Sequence, residues 1–175
     1  MLKLSTTDIL DKYAAGDKEL QRVQLRKAQL SGVNLSGANL QGADFSYANL
    51  SGANLSNANL SQVFLNGANL QNAILDGANL HQTYLTRANL RNASLEKTDF
   101  NGAYLNGVNF QGAKLIQASF SGACLLKADL QQANLTGANL RTADTRYAHF
   151  QGAYYNHNTR FAFGFNPLSV GMEEI

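Results

Sequence analysis

The sequence has very little cysteine, proline and tryptophan, and these shortages exclude several classes of protein. Its single cysteine, Cys124, cannot form a disulfide within the chain, so a disulfide-stapled scaffold is excluded and a reducing, cytoplasmic location is expected. One proline beside 15 glycines is unusual for a loop-rich protein. No apolar run reaches the roughly 18 residues of a membrane span, and the N-terminus lacks the apolar segment of a signal peptide. We therefore expect neither a membrane span nor a signal peptide.

The sequence also lacks a strong positive or negative net charge. The chain has 14 Lys and Arg residues against 12 Asp and Glu residues, which gives a formal net charge of +2. Such a balance does not indicate nucleic acid or any other strongly charged partner. With 175 residues, the chain is long enough for one domain.

The sequence contains instead a strict period of five residues. Every fifth residue from Leu25 to Phe150 is Leu or Phe, except Thr145, and the residue two positions earlier is Ala, Val or Thr from Val23 to Ala153. Neither the 3.6-residue period of a helix nor the two-residue period of a strand fits, so the chain must turn a corner once per unit. Glycine, frequent in the two remaining positions, tolerates such tight turns. Thr145, the one polar residue in the Leu and Phe series, predicts looser packing near the C-terminal end of the repeats.

The repeating unit, as in Ala38-Asn39-Leu40, resembles that of the pentapeptide-repeat family, and the resemblance covers about Leu20 to Tyr155. It implies an all-β solenoid, a right-handed quadrilateral β-helix with four units in each coil. Residues 20–155 would then form about seven coils, stacked at the roughly 4.8 Å spacing of hydrogen-bonded strands.

The N-terminal end of this rod is predicted to be covered by a helix, because an open end exposes core and unpaired backbone groups. Ser5 to Asp8 fits a capping box, and Gly16 is typical of the residue that follows a helix C-terminus. We predict a short capping helix over 6–15, within an N-terminal cap of residues 1–19. The stretch Leu10 to Gly16 resembles the caps of cyanobacterial, stand-alone members of the family.

The C-terminal end is predicted to be covered as well. The period breaks after Tyr155, and residues 156–175 resemble a C-terminal cap of the same group. Phe161, Phe163 and Phe165 alternate, so we expect them to fold back over the last coil.

The sequence offers no convincing chemical site. His149 follows Asp129 by one coil, so the two are expected to be surface neighbours and not a catalytic pair. Cys124 is expected to face outward without a base to activate it. Phosphate loops, zinc-ligand spacings and paired carboxylates are missing, and a filled solenoid has no pocket. We expect no enzymatic activity, no catalytic or metal-binding residue, no cofactor and no small-molecule substrate.

Residues one coil apart should stack in columns, and one column is a candidate binding surface. Columns of asparagine look like structural amide ladders. Another column holds Phe64, Tyr84 and Tyr104 in succession, with Arg87 and Lys127 nearby. Exposed aromatics with cations are typical of protein-binding patches, but stacked rings also stabilise neighbouring strands. The sequence supports both interpretations.

The predicted function is therefore a non-catalytic protein–protein interaction or regulatory scaffold module, monomeric, with an unknown protein partner.

One alternative is gyrase binding by DNA mimicry, known in the family, which needs a strongly acidic rod. Here residues 31–86 contain only two acidic residues, Asp44 and Asp76, and the loops of the gyrase-protecting members are absent. A nucleic-acid-binding rod is a second alternative, for which the basic residues are too sparse. A structural spacer without a specific ligand is a third.

Overall fold

The computed structural model describes residues 5–175, so the first four residues of the predicted 1–19 cap lie outside the described part. The chain begins with helix α1 (Thr6–Ala14) and ends with strand β1 (Tyr154–Tyr155), a 3₁₀ helix (Leu168–Val170) and strand β2 (Glu173–Glu174). Between α1 and β1, the chain winds as a β-helix whose coils are joined by single parallel bridges.

Each coil contains four five-residue units, as the resemblance implied. Bridges join residues 20 apart on all four faces, from Glu19 with Asn39 to Asn134 with Tyr154. Backbone hydrogen bonds connect each coil to the next, for example from Phe64 N–H to the Ala43 carbonyl at 2.9 Å. The fold is the predicted right-handed quadrilateral β-helix.

A β-turn makes each corner. The Ala38 N–H donates to the Leu35 carbonyl at 3.1 Å, and the third turn residue, Gly37, has φ +66°. Glycine adopts this left-handed conformation without strain, whereas for any other residue the conformation costs roughly 1–2 kcal/mol. Arg87 is one of the non-glycine residues that adopt this conformation, with φ +58°. Such corners display a long side chain at the edge of a face.

The interior is filled by two side chains from each unit. The Leu or Phe centres and the small residues before them are almost all buried, with Leu80 and Ala78 as examples. Each buried Leu contributes roughly 1.5–3 kcal/mol gross. Two buried threonines at the small position satisfy their hydroxyls: Thr83 donates to the Leu60 carbonyl and Thr98 to that of Leu75, each at 2.9 Å.

Helix α1 closes the N-terminal end. The Ser5 hydroxyl accepts from Asp8 N–H at 3.1 Å, while the Asp8 carboxylate accepts from Ser5 N–H at 2.7 Å, which is the predicted capping box. Ile9 is fully buried in the core, and the Tyr13 hydroxyl donates to the Ser36 carbonyl at 2.7 Å. The helix ends at Ala14, one residue before the end of the predicted range.

The tail closes the other end by crossing it and returning as β2, which pairs in parallel with β1. Phe161 and Phe165 stack with ring centroids 4.8 Å apart and are half-buried. The prediction for Phe163 is wrong: its side chain is fully exposed. A turn, closed by Phe165 N–H donating to the Ala162 carbonyl at 3.1 Å, replaces the extended backbone that alternation requires.

The tail leaves part of the last coil without a partner. The backbone N–H groups of Thr145, Tyr147 and Phe150 donate to no acceptor within residues 5–175. One coil below, the matching N–H groups donate to the coil above, as Leu125 does to Asp144 at 2.8 Å. Thr145 is itself half-exposed, which agrees with the loosened coil predicted there.

Candidate functional site

Three aromatic rings stack on one face of the β-helix, because the residue before each Leu centre points outward. Phe64 bridges Tyr84, and Tyr84 bridges Tyr104. The ring centroids are 4.9 and 4.8 Å apart, with interplanar angles of 10° and 4°. This spacing matches the coil separation. We call this column and the corner residues beside it the aromatic face; its outward column is Gln24, Asp44, Phe64, Tyr84, Tyr104, Cys124 and Asp144.

The rings of the aromatic face are accessible from solvent. Phe64 is 41% exposed and Tyr104 is 46% exposed, while Tyr84 between them is half-buried. The two tyrosine hydroxyls form no hydrogen bond within residues 5–175. A shallow groove of about 400 Å³ follows the stack and is also lined by Gln62 and Gln82. The face therefore offers apolar ring edges and two free hydroxyls to a partner.

Arg87 and Lys127 lie on one corner beside the aromatic face, two coils apart. Both are exposed, and neither forms an ion pair among residues 5–175. Arg87 is at the level of Tyr84, whereas Lys127 lies one coil beyond Tyr104. The structure thus aligns the two cations along the edge of the face but brings only Arg87 level with the stack.

The acids of the aromatic face are already neutralised. Asp44 pairs with Arg26 at 3.4 Å, and Arg146 binds both carboxylate oxygens of Asp144, at 2.9 and 2.8 Å. The hydrogen bonds from the Arg146 side chain lower the pKa of Asp144 to about 2. The uncompensated charge on this face is therefore positive. Spacing alone predicted neither pair.

The neighbouring asparagine columns are structural, as predicted. The Asn59 side chain donates to that of Asn39 at 3.1 Å, one coil below. The Asn59 side-chain oxygen Oδ1 also accepts from Ser61 N–H at 3.1 Å and so caps the next turn, which the sequence pattern did not indicate. These amides are engaged within the rod.

The residues considered as chemical candidates lie on two faces of the β-helix, Asp129 and His149 on one and Cys124 on the other. Asp129 and His149 are bridge partners, but no ion pair or hydrogen bond joins their side chains. The Cys124 thiol donates to the Asn106 side-chain carbonyl at 2.9 Å. In the described part of the chain, no group of His, Cys, Asp and Glu is arranged to hold a metal ion, and no helix is long and apolar enough to cross a membrane.

A family model for pentapeptide repeats matches this chain in eight copies, over residues 19–57, 53–92, 65–102, 83–122 and 123–154. No curated protein matches it. Among solved structures, the chain is similar to HetL, a pentapeptide repeat protein involved in heterocyst differentiation regulation from the cyanobacterium Nostoc sp. strain PCC 7120. The two are 26% identical over 91% of each chain, with a TM-score of 0.62.

Two further structures resemble the chain less closely in three dimensions. The pentapeptide repeat protein alr5209 from Nostoc PCC 7120 is 26% identical over the whole of both chains, with a TM-score of 0.30. QnrB1, a plasmid-mediated fluoroquinolone resistance protein, is 20% identical over 89% of this chain and 83% of its own, with a TM-score of 0.42. The agreement in fold therefore rests on HetL.

Proposed function

We propose that this chain, which belongs to the pentapeptide-repeat family, is a non-catalytic interaction module whose aromatic face docks another protein. The observation that carries the proposal is the stack of Phe64, Tyr84 and Tyr104, partly exposed and without a covering segment among residues 5–175. The similarity to HetL, itself involved in regulation, supports a regulatory role. We place this role in the cytoplasm, since the single cysteine is free.

Charge complementarity favours a partner with an acidic protein surface. The only acids in the aromatic column are held by Arg26 and Arg146, whereas Arg87 and Lys127 have no counter-ion among the described residues. Two coils separate these cations, which is about 9.6 Å along the rod. Carboxylates at that spacing on the partner would pair with both while its apolar groups contact the ring edges.

The same geometry also supports the spacer interpretation, in which the rings only stabilise the rod. Each stacked aromatic pair contributes about 0.5–1.5 kcal/mol beyond its burial. The two interpretations differ in what removal of the rings does. A docking surface loses affinity, whereas a purely structural stack loses thermal stability alone.

The test replaces Phe64, Tyr84 and Tyr104 together with Asn, the residue that the other columns prefer. Proteins captured from the source organism by the wild-type chain are purified, and their dissociation constants are measured with both forms. We expect at least a tenfold loss of affinity and a folded variant, because no inner position changes. Ile74→Asn, at an exposed apolar residue on another face, is the control. A triple variant that melts early but binds every partner unchanged contradicts the docking proposal.

A charge-reversal pair tests the acidic character of the partner separately. Arg87→Glu with Lys127→Glu should slow association and reverse its dependence on salt. Lys97→Glu, an exposed cation on a different corner, should leave both unchanged. Equal binding by all three forms would mean that the partner is not recognised through its charge.

DNA mimicry receives less support from the arrangement of acids. A mimic of phosphate spacing needs an unbroken acidic track along one face. In the aromatic column the two acids lie five coils apart, and both are paired with arginine. The remaining acids of the β-helix body are divided among other faces and corners, at Asp76, Glu96, Asp99 and Asp129.

A further inference from the structure

A second concave site lies at the C-terminal end, where one extra residue breaks the repeat. Bridges join residues 20 apart up to Asn134 with Tyr154, but the next bridge joins Asn139 with Arg160. Residues 156–159 take up the extra residue at the corner. With the two coils below, this corner forms an open cleft of about 680 Å³. We call it the C-terminal cleft; it is lined by Ile116, Gln117, Thr136, Gly137, Asn139, Arg141 and residues 156–161.

The rim of the C-terminal cleft is held in place by its own hydrogen bonds. Gly137 N–H lies 3.1 Å from both the Asn156 side-chain carbonyl and the Thr159 hydroxyl. The Thr159 hydroxyl donates to the Leu135 carbonyl at 3.0 Å, and Asn158 N–H donates to the Asn156 side chain at 3.1 Å. A ligand would therefore meet a preformed site and lose little binding energy to ordering it.

Two arginines without counter-ions border this cleft. Arg160 is the bridge partner of Asn139, and Arg141 N–H donates to the Asn139 side chain at 3.3 Å. Neither guanidinium forms a hydrogen bond or an ion pair within residues 5–175, and both side chains are exposed. No Asp or Glu lines the cleft. Asp99, in the same column as Asn139, lies two coils lower, which is about 9.6 Å away.

We infer that the C-terminal cleft binds a small molecule that carries a phosphate or carboxylate group. A guanidinium group donates two parallel hydrogen bonds to such an oxyanion, and here two arginines line one cleft that no Asp or Glu lines. The Asn156 amide nitrogen and the Asn158 side chain supply further polar contacts. Ile116 and Phe161 line the cleft with apolar groups for the remainder of the ligand. The cleft shares no residue with the aromatic face, so this inference stands independently of the docking proposal.

The test is an NMR titration of the full chain with inorganic phosphate and with citrate, each compared with sodium chloride at equal ionic strength. Saturable shifts are expected at the amides of Gly137, Asn158 and Arg160, and not with chloride. Stronger binding of phosphate assigns a phosphorylated ligand, and stronger binding of citrate assigns a carboxylate; either result supports the inference. Shifts no larger than those with chloride overturn it.

Variants show whether the arginines carry the binding. Arg141→Gln with Arg160→Gln should weaken it at least tenfold, and each single substitution should weaken it less. Arg91→Gln is the matched control, because Arg91 N–H donates to Asn89 as Arg141 N–H does to Asn139, but Arg91 lies outside the cleft. If the double variant and the control bind alike, the cleft is not the anion site. If the double variant does not fold, the binding of the two single variants shows whether the arginines hold the anion.

Discussion

Neighbouring residues in a repeat unit differ in whether the fold depends on them. Leu80 is completely buried, whereas Asn79 beside it is exposed, and the Asn79 side chain accepts one hydrogen bond, from His81 N–H at 3.0 Å. The difference arises because adjacent side chains in an extended segment point to opposite sides. Sequence period alone was enough to predict which of the two lies inside.

We therefore expect Leu80→Asp to abolish folding. An unpaired carboxylate in the core costs several kcal/mol, which is comparable with the whole stability of a domain, about 5–15 kcal/mol. Asn79→Asp is the control, since it adds the same group one residue earlier and keeps the acceptor for His81 N–H. Circular dichroism and thermal melting measure the outcome. A Leu80→Asp chain that melts like wild type would show that the inner register is misassigned.

The ion pair of Asp144 and Arg146 gives a residue-scale prediction in pH. Hydrogen bonds from Arg146 lower the pKa of Asp144 from its ordinary value of 3.8 to about 2. A depressed pKa means that the pair favours the folded state above pH 3.8 and that this contribution is lost as the pH falls through about 2. Carbon NMR of Asp144 should give a midpoint near 2 in wild type.

Arg146→Gln should return this midpoint towards 3.8, because the neutral amide no longer favours the carboxylate as a cation does. Lys127→Gln, at a nearby cation that forms no ion pair in the described part, should leave it unchanged. A wild-type midpoint already near 3.8 would mean that the pair does not persist in solution.

At the scale of elements, the period of five and the family resemblance together predicted nearly all of the β-helix. Each unit repeats the same two inward side chains and the same turn, so one correct assignment fixes the rest. The capping box of α1 could also be predicted, since Ser5 and Asp8 are close in sequence. The line of Phe64, Tyr84 and Tyr104 follows from four units in each coil.

The elements after Tyr155 could not be predicted in the same way, because their contacts are not periodic. Nothing in the sequence indicates that Arg160 takes the bridge position above Asn139, or that β2 returns to β1. The turn that exposes Phe163 likewise depends on how the tail crosses the end. The C-terminal cleft was missed for this reason: Arg141 and Arg160 are 19 residues apart and belong to no common motif.

The incompletely covered last coil leads to a prediction for hydrogen exchange. The N–H groups of Thr145 and Tyr147 have no acceptor within residues 5–175, whereas those of Leu125 and Lys127, one coil below, donate at 2.8 and 3.1 Å. Amides without a partner exchange without a local opening step. Thr145 and Tyr147 should therefore exchange at least a hundredfold faster than Leu125 and Lys127, as measured by NMR in deuterated buffer. Equal protection would indicate that another segment covers this edge.

At the scale of the whole molecule, coils contact only their neighbours, so the rod is stabilised by repeated interfaces and by its two ends. Helix α1 buries Ile9 at one end, and the tail buries Met172 and part of Phe165 at the other. Each face then keeps its own column of side chains. A docking face and an anion cleft can coexist because substitutions in outward columns leave the common core unchanged.

The ends also determine whether the protein associates with itself. A stable interface buries about 1,200–2,000 Å², and the apolar core that an end could have contributed is already covered. Phe163 and the unpaired N–H groups of the last coil remain available for contact. However, the charged pair of Asp144 and Arg146 lies along that edge, and charges on an open edge oppose strand pairing.

We therefore expect a monomer at micromolar concentration in sedimentation velocity. Reductant is present in the experiment because it prevents a disulfide through Cys124. A concentration-independent dimer would contradict this. Phe163→Ser would then identify the end that is responsible, because a return to monomer would show that the exposed tail mediates the pairing.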